Sequence, residues 1–136
     1  MSARSKARKA ALDVLFESDL RGRDPLSTLQ QRVQDAESPV RDYTKELVEG
    51  VVTHRHTIDE RIRAALSAGW TLERMPRVDR TAVRIAVLEI DVLEVPDAVA
   101  AAEAVALVAD LSTDESPDFV NGLLGRIITT KTAAAS

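Results

Sequence analysis

The sequence predicts an all-α fold, a compact bundle of about seven helices. The chain has 136 residues and is 45% hydrophobic but only 3% aromatic, so its core must come from Leu, Val, Ile and Ala. These side chains favour closely packed helices. Apolar residues recur with the helical period between five prolines, and the prolines precede apolar runs instead of interrupting them. The length suits a single domain.

The prolines also mark where helices begin. Asp24-Pro25, Ser38-Pro39 and Ser116-Pro117 each place a capping side chain before a proline at the first helical position. Helices are predicted, in chain order, at residues 4–20, 25–36, 39–54, 56–68, 77–93, 97–111 and 116–131. They form one domain over residues 1–131, and the Ala-rich residues 132–136 are expected to be a frayed tail.

Two helices of the second half need justification. Residues 84–95, RIAVLEIDVLEV, partly alternate as a strand would, but the apolar run is long and Arg77, Arg80 and Arg84 recur at helical spacing. A helix is therefore predicted there. Residues 98–111 are apolar nearly all round, which is typical of a buried helix. We expect that helix to lie at the centre of the bundle.

The last helix contains an Asn-Gly pair, Asn121-Gly122, which usually indicates a hairpin turn. No alternating strands flank the pair, so the helix is retained. Gly122 and Gly125 lie three residues apart on one face and are predicted to let a neighbouring backbone come close. Asn121 is expected to bond to backbone at a helix junction, since a buried, unpaired amide would be costly.

The composition excludes several classes of protein. There is no Cys, which removes disulfides and thiolate metal sites and suits a cytoplasmic protein. The sequence shows neither a signal-peptide core nor a run long enough to cross a membrane. On one helix His54 and His56 would point to different faces, and there is no Cys or third His, so no metal or cofactor is expected. No catalytic motif supports an enzyme.

Charge is unevenly distributed along an acidic chain of net charge −4. Four cations precede the first acid, Asp13: Arg4, Lys6, Arg8 and Lys9. On a helix the two lysines share a polar face with Asp13, whereas the two arginines fall on the core-facing side. Arginines at such a rim either bind phosphate or bury their stems and reach solvent. The spacing alone leaves both interpretations open.

Two further features have more than one interpretation. Arg77, Arg80 and Arg84, with Asp79 beside them, form a basic stripe that is either the exposed edge of a helix or a charged strip for a protein or RNA partner. Trp70, the single Trp, precedes an expected short helical turn and is predicted to anchor a core or a seam.

Several stretches resemble, in order and spacing, the NusB family of bacterial transcription antitermination factors. They are ARKAALDVLFESDLRG (7–22), YTKELVEGV (43–51), IDERI (58–62), GWTLERMPRVDRTAVRIAVLEI (69–90), VPDAVAAAEAVALVADLS (95–112) and SPDFVNGLLG (116–125). The last resembles the family's S-x-x-F-V-N-G-x-L signature and is the most specific single stretch. The resemblance covers nearly the whole chain.

The resemblance implies an all-helical fold of two small subdomains, no enzymatic activity and no cofactor. Family members bind the boxA element of nascent RNA, chiefly ribosomal RNA leaders, together with NusE, a ribosomal protein of the small subunit. The pair acts with RNA polymerase and other Nus factors against termination and supports ribosomal RNA maturation. Some members form homodimers that hide the RNA surface.

Carried over by position, the resemblance implies RNA contacts at Arg4, Lys6, Arg8, Lys9, Phe16, Asp79, Arg80, Ser116, Phe119 and Asn121. The charged strip for a partner protein comprises Arg77, Asp79, Arg80 and Arg84. Arg8→Ala is expected to weaken boxA binding without unfolding the protein.

The chain departs from the family's pattern at cationic positions. Ala109 stands where the family commonly has Lys, and Asp118 stands where a basic residue often precedes the signature Phe. Lost cations should lower RNA affinity and its salt dependence. Two hypotheses follow: an RNA-binding adaptor that depends strongly on NusE, or a protein-interaction module that docks NusE or itself and binds little RNA.

Overall fold

The computed structural model describes residues 1–35, 37 and 39–135, without the side chains of 132–135. The described chain is helical and contains no strand, which confirms the all-α prediction. Its helices are α1 (Ala3–Arg21), α2 (Pro25–Asp35), α3 (Asp42–Thr53), α4 (Arg55–Ala65), α5 (Arg77–Asp91), α6 (Asp97–Leu111) and α7 (Ser116–Ala135). A single 3-10 turn, Leu72–Arg74, follows Trp70 as predicted.

Most predicted helix boundaries hold to within two residues, with larger differences at the start of the third helix and at the ends of the fourth and last helices. Pro25 begins α2, and the carboxylate of the preceding Asp24 accepts a hydrogen bond from the Ser27 hydroxyl at 3.1 Å, a side-chain contact across the first turn. The third helix, however, begins at Asp42 and not at Pro39, because the backbone at Arg41 is still extended. The Ser38 cap predicted there lies outside the described residues.

Two compact units divide the described chain, one over Met1–His54 and a second beginning at Arg55. The first unit packs α1, α2 and α3 together around buried aliphatic residues, among them Ala7, Ala11 and Leu47. Within it the Thr44 hydroxyl donates to the Ala7 carbonyl at 3.1 Å, and Arg32 of α2 bonds to Glu17 of α1. These contacts fix α1, which carries the basic N-terminal residues.

The second unit is built around α5, which contacts α4, α6 and α7. Every residue from 81 to 90 is buried. The prediction that α6 is the buried central helix is therefore wrong: Val99 is 45% exposed and Ala102, Ala106 and Ala109 are also exposed. Alanine is apolar enough to suggest burial and small enough to remain at the surface at little cost.

The contested residues 84–95 belong to α5 and the turn after it, so the helical interpretation is confirmed as far as Asp91. Helix α7 contains the whole SPDFVNGLLG stretch, and it buries Val120, Leu123 and Leu124. It continues to Ala135, into the segment predicted as a tail, whose last residue, Ser136, lies outside the described residues.

The predicted role of the α7 glycines is wrong. Gly122 and Gly125 are exposed, and a Cβ built on Gly125 meets no other atom within 4 Å. No backbone docks against that face in the described chain. Asn121 is exposed as well, so its amide needs no junction partner.

Candidate nucleic-acid interface

The N-terminal cations lie in the first turns of α1. This helix begins cleanly because the Ser2 hydroxyl accepts a hydrogen bond from the Ser5 amide at 3.1 Å. Arg4 and Lys6 are exposed and Lys9 is half-buried, whereas Arg8 is only 3% exposed. The helical period thus divides the basic stretch into residues that face solvent and one arginine that does not.

Both arginines associate with an aromatic ring of α3. The guanidinium carbon of Arg4 lies 4.4 Å from the centroid of the Tyr43 ring, and that of Arg8 lies 5.7 Å from it. These distances are those of cation–π interactions. We call Arg4, Arg8 and Tyr43 the N-terminal arginine cluster.

The burial of Arg8 corrects its predicted role as a phosphate contact. A guanidinium enclosed by protein is not presented to a ligand, so in this fold Arg8 supports the cluster while Arg4 presents charge to solvent. Lys6 is equally accessible, and Phe16, further along α1, is half-buried. The exposed cations Arg4 and Lys6 and the half-buried Lys9 and Phe16 remain the RNA contacts proposed in this unit.

A second group of aromatic and basic residues lies in the other unit. The ring centroids of Trp70 and Phe119 are 5.0 Å apart, with an angle of 39° between the ring planes. The guanidinium carbon of Arg74 lies 5.9 Å from the Trp70 ring centroid. Trp70 is 44% exposed and Phe119 is half-buried. We call Trp70, Phe119 and Arg74 the aromatic platform.

The segment that carries Trp70 is held firmly. Gly69 has φ 89°, in the left-handed region that favours glycine, and its carbonyl accepts a hydrogen bond from Arg74 Nη1 at 2.7 Å. The following 3-10 turn buries Leu72, whose carbonyl accepts from Arg80 Nη1 at 3.2 Å. Trp70 therefore projects from a fixed turn.

Phe119 is positioned by a buried network that ties the start of α7 to α5. The Asp79 carboxylate accepts hydrogen bonds from the hydroxyls of Ser112, at 2.6 Å, and Ser116, at 2.8 Å. Asp79 and Ser116 are each 1% exposed. The predicted direct contact of Asp79 and Ser116 with RNA is therefore wrong. These two side chains bond to each other inside the protein, and they fix the helical turn that carries Phe119.

The stripe of arginines on α5 is not a continuous surface. Arg77 is exposed and Arg80 is half-buried, but Arg84 is only 7% exposed. Arg84 donates two hydrogen bonds to Asp59, at 2.8 and 3.1 Å. The predicted partner contacts at Arg84 and at the buried Asp79 are therefore wrong, and Arg77 and Arg80 remain as the proposed part of the strip.

Three other positions singled out in the sequence lie at the surface. Asn121, Asp118 and Ala109 are all exposed, so the departures from the family's cationic pattern do fall on accessible faces.

The histidines singled out in the sequence do not form a metal site with other side chains in the part of the chain that the structure describes. His56 Nε2 lies 3.3 Å from the Glu60 carboxylate. Among the described residues, no group of His, Asp and Glu side chains is arranged to hold a metal ion, and no helix is long and apolar enough to cross a membrane.

Sequence reasoning missed Tyr43 and Arg74, and it misplaced Trp70. The available signal was the scarcity of aromatic residues: the chain has one Trp, one Tyr and two Phe. None of the four is buried, since Trp70 is exposed and Phe16, Tyr43 and Phe119 are half-buried. Two of these rings, Tyr43 and Trp70, lie beside arginines, and the core of the described chain is built without aromatic rings.

Comparison with known proteins agrees with the fold. The profile of the NusB family matches residues 5–129. The chain belongs to the NusB family. The transcription antitermination protein NusB of Nocardioides sp. is 56% identical to it over 136 residues, which cover 99% of this chain and 100% of the relative.

Solved structures of similar proteins share the NusB fold. A chain in the crystal structure of a plectonemic RNA supercoil has a TM-score of 0.85 and 32% identity, over 97% of this chain and 98% of its own length. The structure of the antitermination factors NusB and NusE in complex with double-stranded RNA contains a chain with a TM-score of 0.82 and 30% identity. That match covers 93% of this chain and 96% of the other.

Proposed function

We propose that this protein is a transcription antitermination factor that binds boxA RNA of nascent ribosomal transcripts together with NusE. The observation that carries the proposal is the placement of Arg4 on Tyr43 and of Arg74 beside Trp70, in a chain whose family members include NusB bound to NusE and RNA. Arginine and aromatic rings at a surface bind phosphates and unpaired bases.

In this proposed function the protein is an adaptor between RNA and a partner protein and catalyses no reaction. Its RNA contacts include Arg4, Lys6 and Phe119, and Arg77 and Arg80 contribute the charged strip toward a partner protein. With NusE it joins RNA polymerase and other Nus factors in the cytoplasm, resists termination and supports ribosomal RNA maturation.

A titration of end-labelled boxA RNA tests the proposal. Fluorescence anisotropy is measured with this protein alone, with NusE alone and with both, and a scrambled RNA of equal length and composition serves as the control. We expect the heterodimer to bind boxA RNA more tightly than either protein alone and to discriminate against the scrambled sequence. Equal affinity for both RNAs, or no binding, would contradict the proposal.

A second candidate function is a protein-interaction module with little RNA binding of its own. It is favoured by the apolar side chains that α6 exposes, Val99 at 45% and Leu111 at 38%, and by Ala109 and Asp118 at positions that are often basic in the family. The titration separates the two candidates: RNA binding by the isolated protein supports the adaptor, whereas binding of NusE or self-association without any gain in RNA affinity supports the module.

A further inference from the structure

We infer that Trp70 is a stacking surface for one unpaired RNA base, with Arg74 beside it to contact the adjoining phosphate or the base. The inference rests on the proposed function and extends it from the phosphate contacts of the N-terminal arginine cluster to a base contact in the second unit. It gives Trp70 a role different from the core or seam anchor that the sequence predicts.

The exposure of Trp70 is the first observation. Trp is the largest apolar side chain, and at 44% exposure a broad part of its ring surface meets solvent. The fully buried side chains of this chain are Leu, Ile, Val and one Glu among the largest, so the core does not use the ring. Burial against a ligand is the stabilisation that the ring lacks in the free protein.

The neighbours of Trp70 indicate which ligand that is. Phe119 packs against the ring at a centroid distance of 5.0 Å and supports it from within the unit. Arg74 lies 5.9 Å from the ring centroid and is exposed. An exposed ring with a cation beside it matches a nucleotide, which has an aromatic base and an anionic phosphate.

The third observation is the set of contacts that hold the turn carrying Trp70. Gly69 adopts φ 89°, Arg74 Nη1 donates to its carbonyl, and Leu72 anchors the next residues in the core. A ring already held in its binding position loses little conformational freedom when a base stacks on it. A stacked base must be unpaired, so the platform selects single-stranded RNA over the duplex of the same sequence.

The single Trp makes the test specific, because its fluorescence reports on this site alone within the chain. The heterodimer with NusE is titrated with single-stranded boxA RNA while Trp70 fluorescence and the anisotropy of end-labelled RNA are measured in parallel. The Trp70→Phe protein with NusE gives the background fluorescence. We expect quenching that saturates at the RNA concentration at which the anisotropy saturates.

Substitutions of Trp70 and Arg74 separate the contribution of base stacking to RNA affinity from the contribution of charge. Trp70→Ala should weaken RNA binding about tenfold, the loss expected for one base–aromatic stack, with an unchanged salt dependence. Trp70→Phe keeps a ring and should recover most of that affinity. Arg74→Ala should lower the slope of log affinity against log salt by about one if Arg74 contacts a phosphate. Val92→Ala, which truncates another exposed apolar side chain of this unit, should change neither quantity.

The outcomes distinguish this inference from the proposed function. RNA that binds by anisotropy without changing Trp70 fluorescence, and binds Trp70→Ala equally well, overturns the inference alone. Quenching by NusE without RNA, or quenching equally strong with duplex RNA, overturns it too, since it identifies a protein contact or a non-stacking contact. If neither the protein nor the heterodimer binds boxA RNA, the proposed function fails and the inference fails with it.

Discussion

The N-terminal arginine cluster and the aromatic platform use the same two side-chain types in opposite arrangements. In the first, the exposed group is a cation, Arg4, which lies over the half-buried ring of Tyr43. In the second, the exposed group is the ring of Trp70, supported by Phe119 and flanked by Arg74. One cluster therefore presents charge to solvent, and the other presents an apolar plane.

This difference predicts that the two units contribute to RNA affinity in different ways. A cation that neutralises a phosphate releases counterions, so its contribution to affinity falls as salt rises. A base stacked on a ring contributes through apolar contact and dispersion, which salt hardly changes. We expect substitutions in the first unit to change the salt dependence of RNA binding and substitutions of the platform rings to change affinity at every salt concentration.

Each unit also buries one arginine, and these two residues differ in their partners. Arg84 is held by the carboxylate of Asp59 through two hydrogen bonds. Arg8 lies 5.7 Å from the Tyr43 ring centroid. A buried cation that loses its hydrogen-bonded counterion is left uncompensated, so the stability of the second unit depends strongly on the Asp59 carboxylate.

The largest effect is therefore expected for Asp59→Ala in the second unit. Burial lowers the pKa of the Arg84 guanidinium and Asp59 opposes that shift, so without Asp59 the buried charge is uncompensated. The free energy of unfolding, measured by chemical denaturation, should fall by about 3–5 kcal/mol. The control is Glu60→Ala, which removes an exposed carboxylate from the same helix. A loss below about 1 kcal/mol would show that the pair behaves like a surface ion pair.

An intermediate effect is expected in the first unit, where Arg4→Ala and Arg8→Ala should act on different properties. Arg8→Ala removes a buried stem and a ring contact, so it should lower the free energy of unfolding by about 1–2 kcal/mol. Arg4→Ala removes an exposed cation and its ring contact, so it should lower the free energy of unfolding by at most about 0.5–1 kcal/mol and lower the salt slope of RNA binding by about one. Equal stability and equal RNA binding for both variants would contradict the division between buried and exposed arginine.

The helices could be predicted from the sequence, because period, caps and prolines are local signals. Which helix lies at the centre could not. Helix α5 carries Arg84 and Glu89, which suggest a surface, yet both are buried. Helix α6 carries almost no charge, yet exposes Val99. Burial of a charged residue depends on a partner distant in sequence, such as Asp59 for Arg84, and no local pattern reveals that pairing.

The candidate site could be predicted only in part for the same reason. Arg4 is predicted by the run of cations before the first acid and Phe119 by the resemblance to the family's signature, and the structure leaves Arg4 exposed and Phe119 half-buried. Asp79 and Ser116 match the family's motifs as well but bond to each other inside the protein. A motif preserves a residue whether it contacts RNA or positions a neighbour, so only the geometry separates the two roles.

The smallest effects are expected for one glycine in each unit. Substituting these two glycines with alanine should change the free energy of unfolding in opposite directions. Gly125 lies in the interior of α7 with open space around it, so Gly125→Ala should raise the free energy of unfolding by up to about 1 kcal/mol. Gly22 ends α1 with φ 64°, so Gly22→Ala should lower it by about 1 kcal/mol.

Thermal and chemical denaturation of the two glycine variants would check these signs, and RNA titration of Gly125→Ala should give unchanged affinity. The substitution lies two turns from Phe119 on the same helix and faces solvent, so it strengthens α7 without altering the platform. Loss of stability at Gly125→Ala would contradict the open space around this position. A higher free energy of unfolding with unchanged RNA affinity would show that the stability of α7 can be changed independently of what the aromatic platform binds.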